Sequence, residues 1–248
     1  MVIKIINDFN YLEYRDLIMD TYNISVDTFN KLSNNGVIKN KHLLFSVNEL
    51  EKTYKLYIDE FKGSDYNVWI LTGNIAEMIL KQNPIHGCTI FYKNKILCFI
   101  TWKENFELLK RVMLHELCHA YRIKFNKIIT DIEYIKYLND PLNWLYEEIL
   151  AISTEKKYFN SISWEEIIGF KYNSVLRYYD NKKVCSKIYK IYDIYDLLAN
   201  NYNDLSSIIY YIAYYFSKNS FLLYQLNEMV HYDSKTGLSL MISFINAK

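Results

Sequence analysis

The decapeptide Val112-Met113-Leu114-His115-Glu116-Leu117-Cys118-His119-Ala120-Tyr121 sets two histidines and a glutamate in a largely apolar surround. On a helix, His115 and His119 are one turn apart and project from the same face, so two imidazoles can share one ion. Glu116 lies on the flank of that face, where its carboxylate can reach a water on the metal instead of the metal itself. Neutral imidazole nitrogen suits Zn2+, and an open fourth position leaves the water available for attack. The ion lowers the pKa of that water, and Glu116 is the expected general base as it attacks a carbonyl. With five histidines and fifteen glutamates in 248 residues, HExxH arises by chance in roughly 0.6% of chains of this composition. The bland alternative, an amphipathic helix carrying two surface histidines, requires that accident.

Val112 to Tyr121 resembles the active-site helix of the zincin metallopeptidases, and His-Glu-Leu-Cys-His-Ala-Tyr is especially similar to SprT-like proteases. The resemblance implies a third protein ligand. SprT-like proteins take theirs from a nearby downstream histidine, and this sequence departs from that pattern, because the only histidine after His119 is His231. The gluzincin arrangement uses a glutamate from a following helix instead. Asp140-Pro141-Leu142-Asn143-Trp144-Leu145-Tyr146-Glu147-Glu148-Ile149-Leu150-Ala151 offers one. It resembles the Trp-Leu-x-Glu-Gly-x-Ala helix of gluzincins and the Glu-x-x-Ala helix of ImmA/IrrE-like peptidases.

Two adjacent glutamates compete there. At about 100° per residue, Leu145, Ile149, Ile152 and Phe159 define one apolar face; Glu148 borders it and Glu147 points nearly opposite. Ala151, three residues after Glu148, would let the helix approach the zinc helix closely. Glu155, two turns on, is a candidate partner for a ligating histidine. The Trp-Leu-x-Glu spacing counts to Glu147 instead. Glu148 is the preferred third ligand, with Glu147 and His231 as alternatives, and two solvated helix glutamates are the bland reading. For the oxyanion donor, Tyr210 in Tyr210-Tyr211-Ile212-Ala213 resembles the catalytic tyrosine of some gluzincins, although 25 tyrosines make core packing the better wager. His231 is a second candidate donor. His42 and His86 have no partner in sequence. Cys118 is expected to pack away from the histidines.

The elements that must hold these residues follow from patterning. Residues 1–62 read as mainly helical, with Asp8 and Ser46 as N-caps and Asn34-Asn35-Gly36 as a loop. Val68 to Thr72 reads as a strand, and Ala76 to Lys81 as a short helix ending near Pro84. Cys88–Tyr92 and Ile96–Ile100, around Lys93-Asn94-Lys95, read as a β-hairpin. Thr101-Trp102-Lys103-Glu104 has the spacing of a capping box, and a helix of about two dozen residues should run from it to Phe125. From Ile128 onward the pattern is helical, with Gly169 and Gly237 as its main interruptions. Either hairpin strand could bind an extended peptide by strand addition, and the resemblance favours the one nearer the helix. The same strands could equally form an ordinary core hairpin.

The whole is expected to be a helix-rich α+β protein. A minimal zincin core of a small antiparallel sheet plus the HExxH helix occupies 66–160, between helical regions 1–65 and 161–248, all possibly within one compact domain. Composition agrees: 51% hydrophobic residues exclude disorder, while 6 Gly and 2 Pro disfavour many-turned all-β architectures. The longest apolar run, Ile208 to Phe216, is far shorter than the roughly 20 residues of a membrane span, so no membrane partner is expected. A net charge of +1 gives no field to hold a polyanion, so direct nucleic-acid binding is not favoured. Cysteines 88, 98, 118 and 185 form no CxxC pair. With no signal-peptide pattern at the N-terminus, they suggest free thiols in the cytoplasm. Richness in Ile, Lys, Asn and Tyr, all AT-rich codons, suggests a low-GC bacterium or its phage. The expected activity is that of a zinc endopeptidase acting on protein or peptide. The alternative is a latent or non-catalytic regulator of ImmA/IrrE type.

Overall fold

Apolar β-branched residues at 2, 3, 5 and 6 make the first element a strand, β1 (Val2–Ile6), where a mainly helical stretch was expected. Its signal is short, and its pairing partner lies more than sixty residues away, so local periodicity could not reveal it. The computed structural model describes residues 2–34, 47–60, 66–83, 85–101, 106–159, 213, 220–229 and 234–246. They fall into two compact units, 1–121 and 122–248, the division lying inside one helix.

In the first unit, β1 is followed by a 3-10 turn (Tyr11–Tyr14) and helices α1 (Arg15–Tyr22), α2 (Val26–Asn34) and α3 (Val47–Glu60). Strand β2 (Asn67–Leu71), helix α4 (Gly73–Gln82) and the hairpin β3 (Gly87–Tyr92) and β4 (Lys95–Thr101) come next, at the expected places. The sheet order is β1-β2-β4-β3. β2 runs parallel to β1 and to β4, and only β3 and β4 are antiparallel. The sheet is therefore mixed, where an antiparallel one was expected. The hairpin turn is tight because Lys93 and Asn94 both adopt left-handed conformations (φ 50° and 59°), which matches the right-handed twist of the flanking strands.

Strand alternation gives the sheet two covered faces. On one, Ile6, Leu71, Leu97 and Phe99 join Leu17, Ile18, Tyr22, Phe29, Ile75 and Ile79 in a continuous core. Lys4 shares that face without burying an unpaired charge, because its ammonium lies over the Tyr14 and Trp69 rings at 4.4 and 4.9 Å. On the other face Val68, Ile70, Cys98 and Ile100 are fully buried.

Asp8, expected to cap the helix after it, works elsewhere. Its carboxylate accepts hydrogen bonds from Asn74 N (3.1 Å), Asn74 Nδ2 (3.2 Å) and Ile75 N (3.0 Å), at the start of α4. Gly73, at φ +81°, permits the approach; a Cβ there would stand 2.6 Å from Asp8 Oδ2. Thr101 also departs from expectation. It ends β4, paired to Leu71, and its N–H donates to His86 O at 2.7 Å. Trp102, Lys103 and Glu104, the rest of the expected capping box, lie outside the described residues.

The helix after β4, α5 (Phe106–Phe125), ends as expected, and Lys127 at φ 55° turns the chain away from it. The second unit adds α6 (Asp131–Leu138), α7 (Pro141–Tyr158), α8 (Ser220–Met229) and α9 (Ser234–Asn246). Asp140 caps α7 by accepting from Leu142 N at 2.9 Å, with Pro141 at the first helical position. α7 packs against α6, α8 and α9 and is buried nearly all round. Gly237 does not interrupt the last helix: it lies within α9 as the point of closest approach to Tyr146, where a Cβ would meet the ring at 2.6 Å. Tyr146 in turn donates to Leu226 O at 2.9 Å. Ser46, Asn35, Gly36, Pro84, Gly169 and Cys185 lie outside the described residues. Among those described, no helix is long and apolar enough to cross a membrane. Three cysteines (Cys88, Cys98, Cys118) are free thiols.

Asp8 joins the end of β1 to the start of α4, so its loss should loosen the first unit. Asp8→Ala is expected to lower stability by about 1–2 kcal/mol, read as a lower urea midpoint at unchanged m-value.

Candidate metal centre

α5 is built to be buried. Leu109, Val112, Met113, Leu114, Leu117, Cys118 and Ala120 are at most 3% exposed, and this apolar surface packs the helix on most sides. His115 and His119 keep partial exposure on the remaining stripe. Their Nε2 atoms are 3.1 Å apart and the rings are nearly perpendicular, at 77°. Two nitrogens bound tetrahedrally at about 2.0–2.1 Å from zinc would be about 3.3 Å apart. With both rings protonated at Nδ1, each Nε2 keeps a lone pair free to bind an ion. Cys118 is fully buried, as expected of a packing residue.

Glu116 leaves that stripe for the sheet. Its side chain is buried against β3, where Thr89 Oγ1 lies 2.8 Å from Oε2 and 2.9 Å from the Glu116 backbone carbonyl. Gly87, two residues earlier on the same face of β3, leaves the space that Glu116 fills; a Cβ there would meet Oε1 at 2.6 Å. Neither Gly87 nor Thr89 stood out in the sequence, although a glycine inside a strand signals close approach of a neighbour. Burial, reinforced by the Glu116 charge, pushes the Cys88 thiol up to about 12. Burial is also the main cause of the raised pKa values of Cys98 and Tyr22. These thiols stay protonated near neutral pH and supply no nucleophile.

α7 supplies the glutamates, and here helical-wheel reasoning fails for one of them. Glu147 is not solvated opposite the apolar face. It is 3% exposed and forms an ion pair with Arg122 on the last turn of α5. Arg122 Nε lies 3.3 and 3.2 Å from the two carboxylate oxygens, and Nη2 lies 3.1 Å from Oε1. Tyr137 from α6 donates to the same Oε1 at 2.5 Å. Burial works to lower the Arg122 pKa, but the charge and hydrogen bonds of Glu147 hold it above its ordinary value. The Tyr137 hydroxyl is raised by burial and then by the Glu147 charge. An arginine three residues after His119, in the apolar stretch that follows the motif, was the available signal, since such a charge, once buried, needs a carboxylate. Because α7 is buried on nearly every side, its apolar face says little about where a glutamate points.

Glu148, the next residue, belongs with the two histidines to a group that could hold a metal ion. One ligand atom each from His115, His119 and Glu148 lies within 4.8 Å of the others, and all three residues are half-buried. Two imidazoles and one carboxylate are a donor set that suits zinc and leaves a fourth position open. Glu116 is not among the three. Ala151 and Glu155 are fully buried on α7. Tyr210, His231 and His42 lie outside the described residues; His86 is half-buried ahead of β3.

Glu147→Ala would strand a buried guanidinium and the Tyr137 hydroxyl. The expected cost is about 3–5 kcal/mol in urea unfolding, with Arg122→Met plus Glu147→Leu recovering most of it.

No model of a known protein family matches the chain, nor does any curated protein or solved structure. What the centre can do therefore rests on its own geometry.

Proposed function

We propose that the protein is a zinc-dependent endopeptidase in which His115, His119 and Glu148 hold the ion and Glu116 is the general base. The observation that carries this reading is the gathering of those three ligand atoms within 4.8 Å on a helix that also bears Glu116. When bound, zinc supplies a water of lowered pKa and polarises the scissile carbonyl. Glu116 takes the proton of that water and returns it to the departing amine, a role that needs a carboxylate beside the ion but not on it.

An extended peptide needs a strand edge to pair with. β4 is paired on both sides, by β2 and β3, so the strand nearer the helix in sequence has no edge to offer. β3 ends the sheet among the described residues and carries Gly87 and Thr89 against Glu116. A peptide lying along β3 would pass beside the base. A protein or peptide substrate also suits a chain whose charge is +1, and free thiols support a cytoplasmic setting.

The test is cleavage of unfolded protein, followed by mass spectrometry of the fragments, with the zinc-loaded wild type and Glu116→Gln. The variant should keep its zinc and lose about 10²–10⁴-fold in rate. Full activity in Glu116→Gln ends the reading. Zinc bound without turnover by the wild type would favour a regulator instead.

A further inference from the structure

We propose that Thr89 is the positioning residue for Glu116, gripping Oε2 so that Oε1, lying over Gly87, is the oxygen that meets the substrate water. The inference rests on the peptidase reading above and adds which atom acts and what aims it.

A glutamate has three side-chain torsions, and an ungripped carboxylate samples several positions. Here two neighbours on one face of β3 remove that freedom. Thr89 Oγ1 is within hydrogen-bond distance of Oε2 (2.8 Å) and of the backbone carbonyl of the same glutamate (2.9 Å). The hydroxyl thus ties the side chain to a point fixed on α5, and not merely to a mobile partner. Gly87 provides the opposite boundary: Oε1 and Cγ of Glu116 lie 2.6 and 2.8 Å from where its Cβ would be. Val112 closes the same gap, its Cγ1 standing 2.6 Å from that point. One oxygen is therefore engaged by a hydroxyl, and the other lies against strand backbone at the sheet edge.

The proton inventory agrees. Thr89 has one hydroxyl proton and faces two acceptors while Glu116 is ionised. When Oε1 takes a proton, Oε2 and the backbone carbonyl remain the two acceptors that Thr89 Oγ1 faces, so its contacts are unchanged. The same pair of contacts holds the carboxyl in place before and after proton transfer, so the group need not turn during the reaction.

Thr89→Val removes the hydroxyl at nearly constant volume, and Thr89→Ser restores it without the methyl group. Thr89→Val is expected to lower kcat by about 10- to 100-fold at unchanged KM and one zinc per chain, with Thr89→Ser recovering most of the loss. A second readout needs no turnover: crystal structures of wild type and Thr89→Val should show one Glu116 rotamer in the first and several in the second. The proposal is overturned if Glu116 keeps its rotamer in Thr89→Val, if kcat stays within about twofold of wild type, or if Thr89→Ser is as impaired as Thr89→Val. If the rotamer spreads and the wild type cleaves nothing, Thr89 does position Glu116 and the peptidase reading fails. If wild type and Thr89→Val cleave equally, the peptidase reading stands and this one falls.

Discussion

A buried ion pair, Arg122 with Glu147, ties the last turn of α5 to α7. Arg122 lies three residues beyond His119, so it reports the rotation of the same helix that aims the imidazoles. Glu147 is the residue before Glu148, so whatever fixes one carboxylate fixes the backbone of the other. The pair is almost inaccessible, at 2% and 4% side-chain exposure. Two charges removed from water are tolerated only when their hydrogen bonds are met, and Glu147 receives them from Nε and Nη2 of Arg122 and from Tyr137. Such a contact adds little net stability over an apolar pair of similar volume.

The same division of labour recurs on the sheet side of α5. The histidines occupy the accessible stripe, and Glu116 leaves it for β3. Gly87 and Thr89 receive it, one by lacking a side chain and one by offering a hydroxyl. Side chains of one helix are thus received by different neighbours. β3 has a further property, since it is the terminal strand of the described sheet. Glu116 thus packs on the strand that ends the described sheet.

What was legible in the sequence was what depends on local spacing. The one-turn interval of His115 and His119, the hairpin around Lys93 and Asn94, and the end of α5 near Phe125 are all properties of short stretches. The angle to an apolar face separates Glu148 from Glu147 in the sequence, but α7 is buried nearly all round and Glu147 is buried against Arg122. Features that depend on distant partners were hidden. β1 exists because β2 offers it a parallel edge, and Asp8 caps a helix 66 residues further on instead of its own. Thr101 pairs with Leu71 at the end of β4, a partner thirty residues away. Gly237 resembled a break and is instead the place where α9 touches Tyr146.

The claim on which the rest stands is that His115, His119 and Glu148 bind one zinc ion. Metal content of the purified protein, measured by mass spectrometry after dialysis against zinc and a competing chelator, tests it directly. The expected result is one zinc per chain for the wild type and a loss of at least tenfold in affinity for both His115→Ala and Glu148→Ala. Zinc bound equally well by Glu148→Ala, or no zinc bound by the folded wild type, would contradict it.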